Sequence, residues 1–208
     1  MSTSPRAMQA ITAEIVAIDP KFELVISGST LCDLDSKKSK NNHVVALSKS
    51  IISQQLAVKA ADSIYQRFRS LCDGDVNLES IAGLSQGQLR EIGLSGAKAK
   101  AIIGLYQSHN SGSIDLHNLH KIHDDALLSQ QLTSLWGIGP WTVHMFMMFQ
   151  LGRLDVWPVG DLGVRRGWEK IHRMRDEVDP AKLIKLGEKF APYRSVVAWY
   201  CWRALDQK

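Results

Sequence analysis

The segment that most constrains the fold is 132–146, where two helical patterns are separated by only a few residues. Gly137, Ile138 and Gly139 form the break, and Pro140 follows it. Glycine accepts positive φ angles and a close backbone approach, and proline suits the first position of a helix. The amides of such a turn and helix N-terminus point outward, where they can bind a phosphate. An ordinary loop between two helices would also explain the Gly-Ile-Gly sequence at 137–139, but the apolar residues on both sides favour a compact helical hairpin.

Helical periodicity continues through the rest of the chain. We predict helices at 44–52, 56–71, 78–82, 86–92, 97–108, 124–135, 141–151, 162–174, 181–190 and 194–205. Only 22–26 has strand character, and one short strand cannot form a sheet. The sequence therefore predicts an all-α fold of short helices with tight connections.

Composition excludes several classes of protein. Cys32, Cys72 and Cys201 are far apart and odd in number, which argues against a disulfide scaffold and a four-cysteine metal site. No apolar run approaches the roughly 20 residues that cross a bilayer, and the N-terminus lacks a signal-peptide pattern. We therefore expect no membrane association and an intracellular protein, cytoplasmic or nucleoid-bound in a bacterium and nuclear in a eukaryote. The net charge of +4 permits nucleic acid as a partner without requiring it.

Two local patterns give weaker signals. Three histidines recur at every third position, but this spacing drifts around a helix surface, so we predict no metal site at His117, His120 and His123. A polar segment carries three lysines and is predicted to be a solvated loop: Lys37, Lys38 and Lys40.

Four stretches, in this order, carry a resemblance to a known family. They are 50–56 (SIISQQL), 93–98 (GLSGAK), 136–142 (WGIGPWT) and 155–161 (DVWPVGD). Together they resemble the helix-hairpin-helix DNA glycosylase superfamily, and within it the AlkA-type enzymes of the 3-methyladenine glycosylase II group. The resemblance spans about 44–202, which makes it more specific than any single motif.

The resemblance implies a two-lobed helix-hairpin-helix glycosylase fold made by one domain. One lobe would comprise about 1–44 plus 162–208. The other would comprise about 45–161 and contain the helix-hairpin-helix at 132–146. The active site would then lie in a cleft between the lobes.

The family's catalytic aspartate corresponds to Asp161. On residues alone, Asp161 is typical of a helix N-cap, because Pro158 and Gly160 precede it and a helical pattern follows. The helix dipole and nearby Arg165 favour an ionised carboxylate. Such a carboxylate can stabilise the oxocarbenium-like transition state of glycosidic cleavage, or orient or deprotonate the attacking water. The sequence leaves these roles open, and plain capping is the simplest alternative.

Relatives that also cut the DNA backbone use a lysine amine just after the hairpin, where this chain has Trp141. An indole cannot form a Schiff base, so the resemblance implies a monofunctional enzyme that uses water and leaves an abasic site. No cofactor is implied, apart from a monovalent or hydrated cation at the hairpin. The carbonyl groups near Leu135, Gly137 and Ile138 would hold that cation.

The implied partner is double-stranded DNA containing alkylated bases such as 3-methyladenine, bound by a monomer. The enzyme would flip the damaged base out of the helix, and Trp141 and Tyr193 would stack on it. Aromatic faces attract a cationic base, and Trp136 would form the pocket rim. Trp199 and Trp202 lie in an apolar helix and are predicted to be core.

Other DNA contacts are implied for the hairpin and the helix after Asp161, namely Gly137, Ile138, Gly139, Thr142 and Arg165. Gln55 or Leu56, with Gln54 beside them, would fill the gap left by the flipped base. A plain interhelical turn is the alternative at these three residues. Two other functions stay open: a non-catalytic DNA-binding module, and a glycosylase for deaminated or mismatched bases.

Overall fold

The computed structural model describes residues 3–34 and 42–207, and every regular element in these ranges is helical. This confirms the all-α class. The predicted loop with Lys37, Lys38 and Lys40 lies outside the described residues. The α-helices are α1 (Pro5–Ile18), α2 (Glu23–Ser27), α3 (His43–Ser53), α4 (Val58–Leu71), α5 (Leu78–Ala82), α6 (Gln86–Glu91), α7 (Gly96–Asn110), α8 (Asp125–Thr133), α9 (Pro140–Phe149), α10 (Leu162–His172), α11 (Pro180–Gly187) and α12 (Arg194–Asp206).

The predicted strand character of 22–26 is wrong, because this segment is helical. Pro20–Phe22 forms a 3₁₀ turn that leads into α2, and the Asp19 carboxylate accepts a hydrogen bond from the backbone of the turn. Phe22 and Val25 are buried whereas Leu24 is 75% exposed. Burial at every third residue is helical spacing, and a strand would have buried alternate residues.

The chain divides into two compact units, Met1–Lys38 with Met147–Lys208, and Ser39–Phe146. The predicted lobe boundary lay after residue 161. In the structure, residues 147–161 belong to the unit of the two chain ends. Bonds from the start of α12 hold this segment to the terminal part of the chain. The Ser195 hydroxyl donates to the Arg153 carbonyl, and Arg194 forms an ion pair with Asp155 at 2.7 Å.

The unit of the two chain ends is organised around α10 and α12. A Cβ on Gly167 of α10 would lie 1.9 Å from the carbonyl oxygen of Cys201 in α12. The two helix backbones therefore touch, which no larger residue at this position allows. Trp168, on the same helix, is fully buried against Phe22 and Phe190.

The middle unit packs α3 to α7 around fully buried Leu47, Phe68, Ile102 and Leu105. Helices α8 and α9 contribute further buried side chains to this unit, at Leu128, Leu132, Val143 and Phe146. Met148, near the end of α9, is also buried but belongs to the unit of the chain ends.

Within 3–34 and 42–207, no helix is long and apolar enough to cross a membrane. In the same ranges, no group of three metal-ligating side chains is positioned to hold an ion. Two of the three regularly spaced histidines contact histidines from other parts of the chain. His120 contacts His43 at 3.1 Å between ring nitrogens, and His117 packs edge-on against His109.

Candidate active site and nucleic-acid interface

Asp161 caps the N-terminus of α10. Its backbone is extended, with φ −77° and ψ 123°, and its Oδ1 accepts a hydrogen bond from the Val164 amide at 2.9 Å. The residue enters this position through a tight turn in which its own amide donates to the Pro158 carbonyl at 2.9 Å. The predicted N-cap is confirmed. The carboxylate lies where the helix amides place positive partial charge.

A second donor reaches the same carboxylate oxygen. The indole Nε1 of Trp202, in α12, donates to Asp161 Oδ1 at 2.9 Å. The prediction that Trp202 is a core residue is wrong, because its indole is only partly buried and bonds the cap. Trp199, by contrast, is 7% exposed and confirms its predicted place in the core.

The approach of Trp202 to Asp161 depends on Gly163, a residue that no sequence motif marks. A Cβ at Gly163 would lie 2.8 Å from Trp202 Cδ1, 2.9 Å from its Nε1 and 3.1 Å from Asp161 Oδ1. These separations are below normal van der Waals contact. Glycine at this position therefore lets the indole bond the carboxylate.

An aromatic surface lies next to this centre. The ring of Phe149 stacks on Trp202 with 5.7 Å between centroids and 29° between planes, and Phe149 is 50% exposed. Tyr193, the predicted stacking residue, precedes α12 and lies more than two helical turns before Trp202, about 13 Å along the axis. Arg165 is partly exposed in the first turn of α10.

The predicted hairpin joins α8 to α9. Gly137 has φ +78°, and a Cβ there would lie 2.6 Å from the Cβ of Ala101, so both backbone angle and space require glycine. Ile138 is 4% exposed and fills the interior of the turn. The Gly139 carbonyl accepts the first intrahelical bond of α9, from Val143. The space around the Gly139 α-carbon is open, which suits a backbone anion site at this helix N-terminus.

Trp136 lies on the surface of the hairpin. Its side chain is 60% exposed, and the Lys100 ammonium lies 4.1 Å from the ring centroid. An exposed indole held by a cation is a contact surface rather than core.

The turn between α3 and α4 carries the predicted gap-filling residues. Gln55 has φ +55°, a left-handed conformation that is unfavourable for a residue with a Cβ. Gln55 and Leu56 are exposed, whereas Gln54 turns inward. The Gln54 amide donates to the Gly137 carbonyl at 2.9 Å and to the Thr142 hydroxyl at 2.8 Å. Gln54 and Thr142, both predicted to contact DNA, thus bond each other inside the unit.

Trp141 borders a groove of about 330 Å³ beside this turn. Leu56 and Tyr65 line it together with the polar groups of Ser53 and Asp62. The volume is at the lower end of the range of about 300–1,000 Å³ that small-ligand pockets occupy. The structure therefore brings the predicted base-stacking Trp141 and the predicted gap-filling Leu56 to one groove.

Two of the hairpin carbonyls named for the expected cation accept hydrogen bonds from the protein. The Gly137 carbonyl accepts the Gln54 amide at 2.9 Å, and the Leu135 carbonyl accepts the Ile138 amide at 3.2 Å. A carbonyl oxygen has two lone pairs, so each of these oxygens can still approach a cation, and the hairpin cation stays a prediction.

A family model described as "HhH-GPD superfamily base excision DNA repair protein" matches residues 48–192. The chain belongs to this superfamily. The matched range contains the hairpin at Gly137 and the capped carboxylate of Asp161. The predicted resemblance is thereby confirmed, and the chain is a base excision DNA repair protein.

Named relatives of this HhH-GPD protein are glycosylases. DNA-3-methyladenine glycosylase 1 of Schizosaccharomyces pombe is 33% identical over 159 residues, which are 76% of this chain and 70% of the relative. The DNA-3-methyladenine glycosidase structure from Bacillus halodurans is 35% identical, with a TM-score of 0.79 over 100% of this chain and 92% of that chain. Schizosaccharomyces pombe Mag1 in complex with abasic-DNA has a TM-score of 0.84 at 28% identity, covering 93% of this chain and 95% of that chain. These similarities confirm the predicted fold class.

Proposed function

We propose that this protein is a monofunctional DNA glycosylase that hydrolyses the N-glycosidic bond of alkylated purines such as 3-methyladenine. The observation that carries the proposal is the carboxylate of Asp161, fixed at the N-terminus of α10 by the Val164 amide and the Trp202 indole. The names of the relatives support the substrate class. The product is DNA with an abasic site.

Asp161 provides the charge that the reaction requires. As the bond between C1′ and the base nitrogen breaks, the base leaves with the electron pair and the sugar develops oxocarbenium character. A carboxylate held in place stabilises this cation without reorganising, and water then adds at C1′. Asp161 also has the acceptor chemistry to take the proton that the water loses.

Aromatic side chains supply the affinity for a cationic base. Trp141 and Tyr193 are the proposed stacking residues, and Trp136 the proposed rim. Phe149 and Trp202 add a stacked pair beside the carboxylate. An alkylated purine with a positive charge gains more from these faces than a neutral base does.

The proposed partner is double-stranded DNA, bound by a monomer. The open N-terminus of α9 at Gly139 offers backbone amides to a phosphate, and Arg165 adds a cation near Asp161 in the sequence. We propose an intracellular location because genomic DNA is the substrate.

Borohydride trapping tests whether the enzyme is monofunctional. With duplex DNA containing 3-methyladenine, we expect strands that break only after alkali and no protein–DNA adduct in the presence of borohydride. The reason is that Trp141 offers no amine where lyases carry their nucleophile. Strand cleavage without alkali together with a trapped adduct would contradict the proposal. Abasic-site binding without base release would favour a non-catalytic DNA-binding module.

A further inference from the structure

One lysine side chain bonds the backbone of the turn between α3 and α4. The ammonium of Lys98, in α7, donates to the Ile52 carbonyl at 2.8 Å and to the Gln54 carbonyl at 2.7 Å. The last carbonyls of a helix lack intrahelical donors, and a cation near a helix C-terminus is favourable. Lys98 therefore fixes the direction in which the chain leaves α3.

The bonding continues from this lysine to the hairpin. The backbone carbonyl of Gln54 accepts a hydrogen bond from the Lys98 ammonium. The side-chain amide of Gln54 donates to the Gly137 carbonyl and to the Thr142 hydroxyl. Thr142 is 1% exposed and its bond to Gln54 is partly buried, whereas the bond from Gln54 to Gly137 lies at the surface. Lys98, Gln54 and the hairpin thus form one continuous polar network within Ser39–Phe146.

This network holds a backbone that is unfavourable by itself. Gln55 has φ +55°, and a left-handed conformation costs a residue with a Cβ about 1–2 kcal/mol. Lys98 is also partly desolvated, and burial lowers its pKa from the ordinary 10.5. Both costs are tolerated where the surrounding bonds over-determine the geometry. As a result, Gln55 and Leu56 are exposed on a turn whose backbone is held in place.

We propose that Lys98 is a positioning residue for base flipping, which holds the 54–57 turn so that Gln55 and Leu56 enter the gap left by the flipped base. This inference rests on the proposed function. Lys98 acts through the turn and does not touch the substrate. Its loss therefore impairs filling of the gap, and impairs base release only as a consequence.

The test uses duplex DNA with a tetrahydrofuran abasic analogue opposite 2-aminopurine, whose fluorescence reports the stacking of the unpaired base. The variants are Lys98→Met, which removes the ammonium, and Lys121→Met, which removes an exposed lysine of the same unit. At saturating protein, wild type and Lys121→Met change the fluorescence. In Lys98→Met the fluorescence change is roughly tenfold smaller than in wild type, as expected when hydrogen bonds to a charged group are lost. Lys98→Arg restores much of it, since a guanidinium also donates to carbonyls.

The readout separates positioning from plain stability. We expect the thermal midpoint of Lys98→Met to stay within a few degrees of wild type while the fluorescence change falls. A wild-type signal in Lys98→Met overturns the inference. If Lys98→Met does not fold, Gln54→Glu cuts the network at its other end, and an undiminished signal in that variant overturns it too. The tetrahydrofuran analogue has no base to release, so this fluorescence assay does not depend on catalysis. If wild type releases no base from methylated DNA, the proposed function is refuted while the fluorescence test of Lys98 can still be carried out.

Discussion

Replacing Asp161 with asparagine is expected to slow base release from methylated duplex DNA by roughly 10³-fold, the scale of a lost electrostatic contribution in a preorganised site. Asparagine keeps the shape of aspartate and caps helices about equally well. Its amide oxygen still accepts from the Val164 amide and the Trp202 indole. The substitution therefore removes the negative charge and leaves the geometry. Single-turnover kinetics with wild type and Asp161→Asn measure the difference.

The control for this prediction is Asp176→Asn, an exposed carboxylate in the same compact unit. It removes the same charge and should leave the rate of base release within about twofold, because surface charges contribute little. Binding of Asp161→Asn to abasic DNA should stay close to that of wild type. A rate for Asp161→Asn equal to that of Asp176→Asn would show that Asp161 only caps α10.

Gly163→Ala is expected to lower the rate of base release by roughly 10- to 100-fold, the range for losing a hydrogen bond to a charged group. The added Cβ would lie 2.8–2.9 Å from Trp202 Cδ1 and Nε1, so the indole must move. Because a side chain gives way more easily than backbone, we expect the bond to Asp161 to break while the fold persists. The thermal midpoint, followed by circular dichroism, should change little.

The matched control is Gly104→Ala in α7, where an added Cβ meets no atom within 4 Å. Alanine favours a helix over glycine by about 0.5–1 kcal/mol, so this variant should be slightly more stable and equally active. Gly163→Ala and Gly104→Ala with the same activity would contradict the role given to the Trp202 bond. A large fall in the thermal midpoint of Gly163→Ala would instead indicate a packing role.

Local sequence signals were sufficient for helices α3 to α12, to within a few residues at each end, and for the cap. Asp161 follows Pro158 and Gly160, and the capping that this pattern predicts needs only residues within one turn. The same holds for the hairpin, where Gly137 and Pro140 mark the turn and the helix start. Such features depend on neighbours in the chain, so sequence reasoning finds them.

Contacts between distant segments were missed. The bond from Trp202 to Asp161 joins α12 to α10, and the periodicity of an apolar helix gives no sign of it. Gly163 looked like an ordinary helical residue until the position of the indole was known. The short apolar run at 22–26 forms the end of a 3₁₀ turn and the start of α2, with Phe22 and Val25 buried. In each case tertiary packing outweighed local preference.

Helix α1 shows the opposite case, a local signal that was present but not used. Ser4 caps its first turn through a bond from the Ala7 amide at 3.2 Å, and Pro5 occupies the first helical position. Serine followed by proline is a typical start of a helix. Its buried apolar residues, Met8, Ile11 and Ile15, recur at helical spacing. The helix could therefore have been predicted from the sequence.

The most direct test of the central claim is the chemical identity of the base that wild-type protein releases. Duplex DNA methylated with a radioactive methyl donor is incubated with the protein, and the free bases are separated by chromatography beside a parallel hypoxanthine-containing duplex. A carboxylate at Asp161 with aromatic stacking residues predicts free 3-methyladenine well above spontaneous depurination, and slower release of neutral hypoxanthine. No free base above the spontaneous level, or hypoxanthine released faster than 3-methyladenine, would contradict the account.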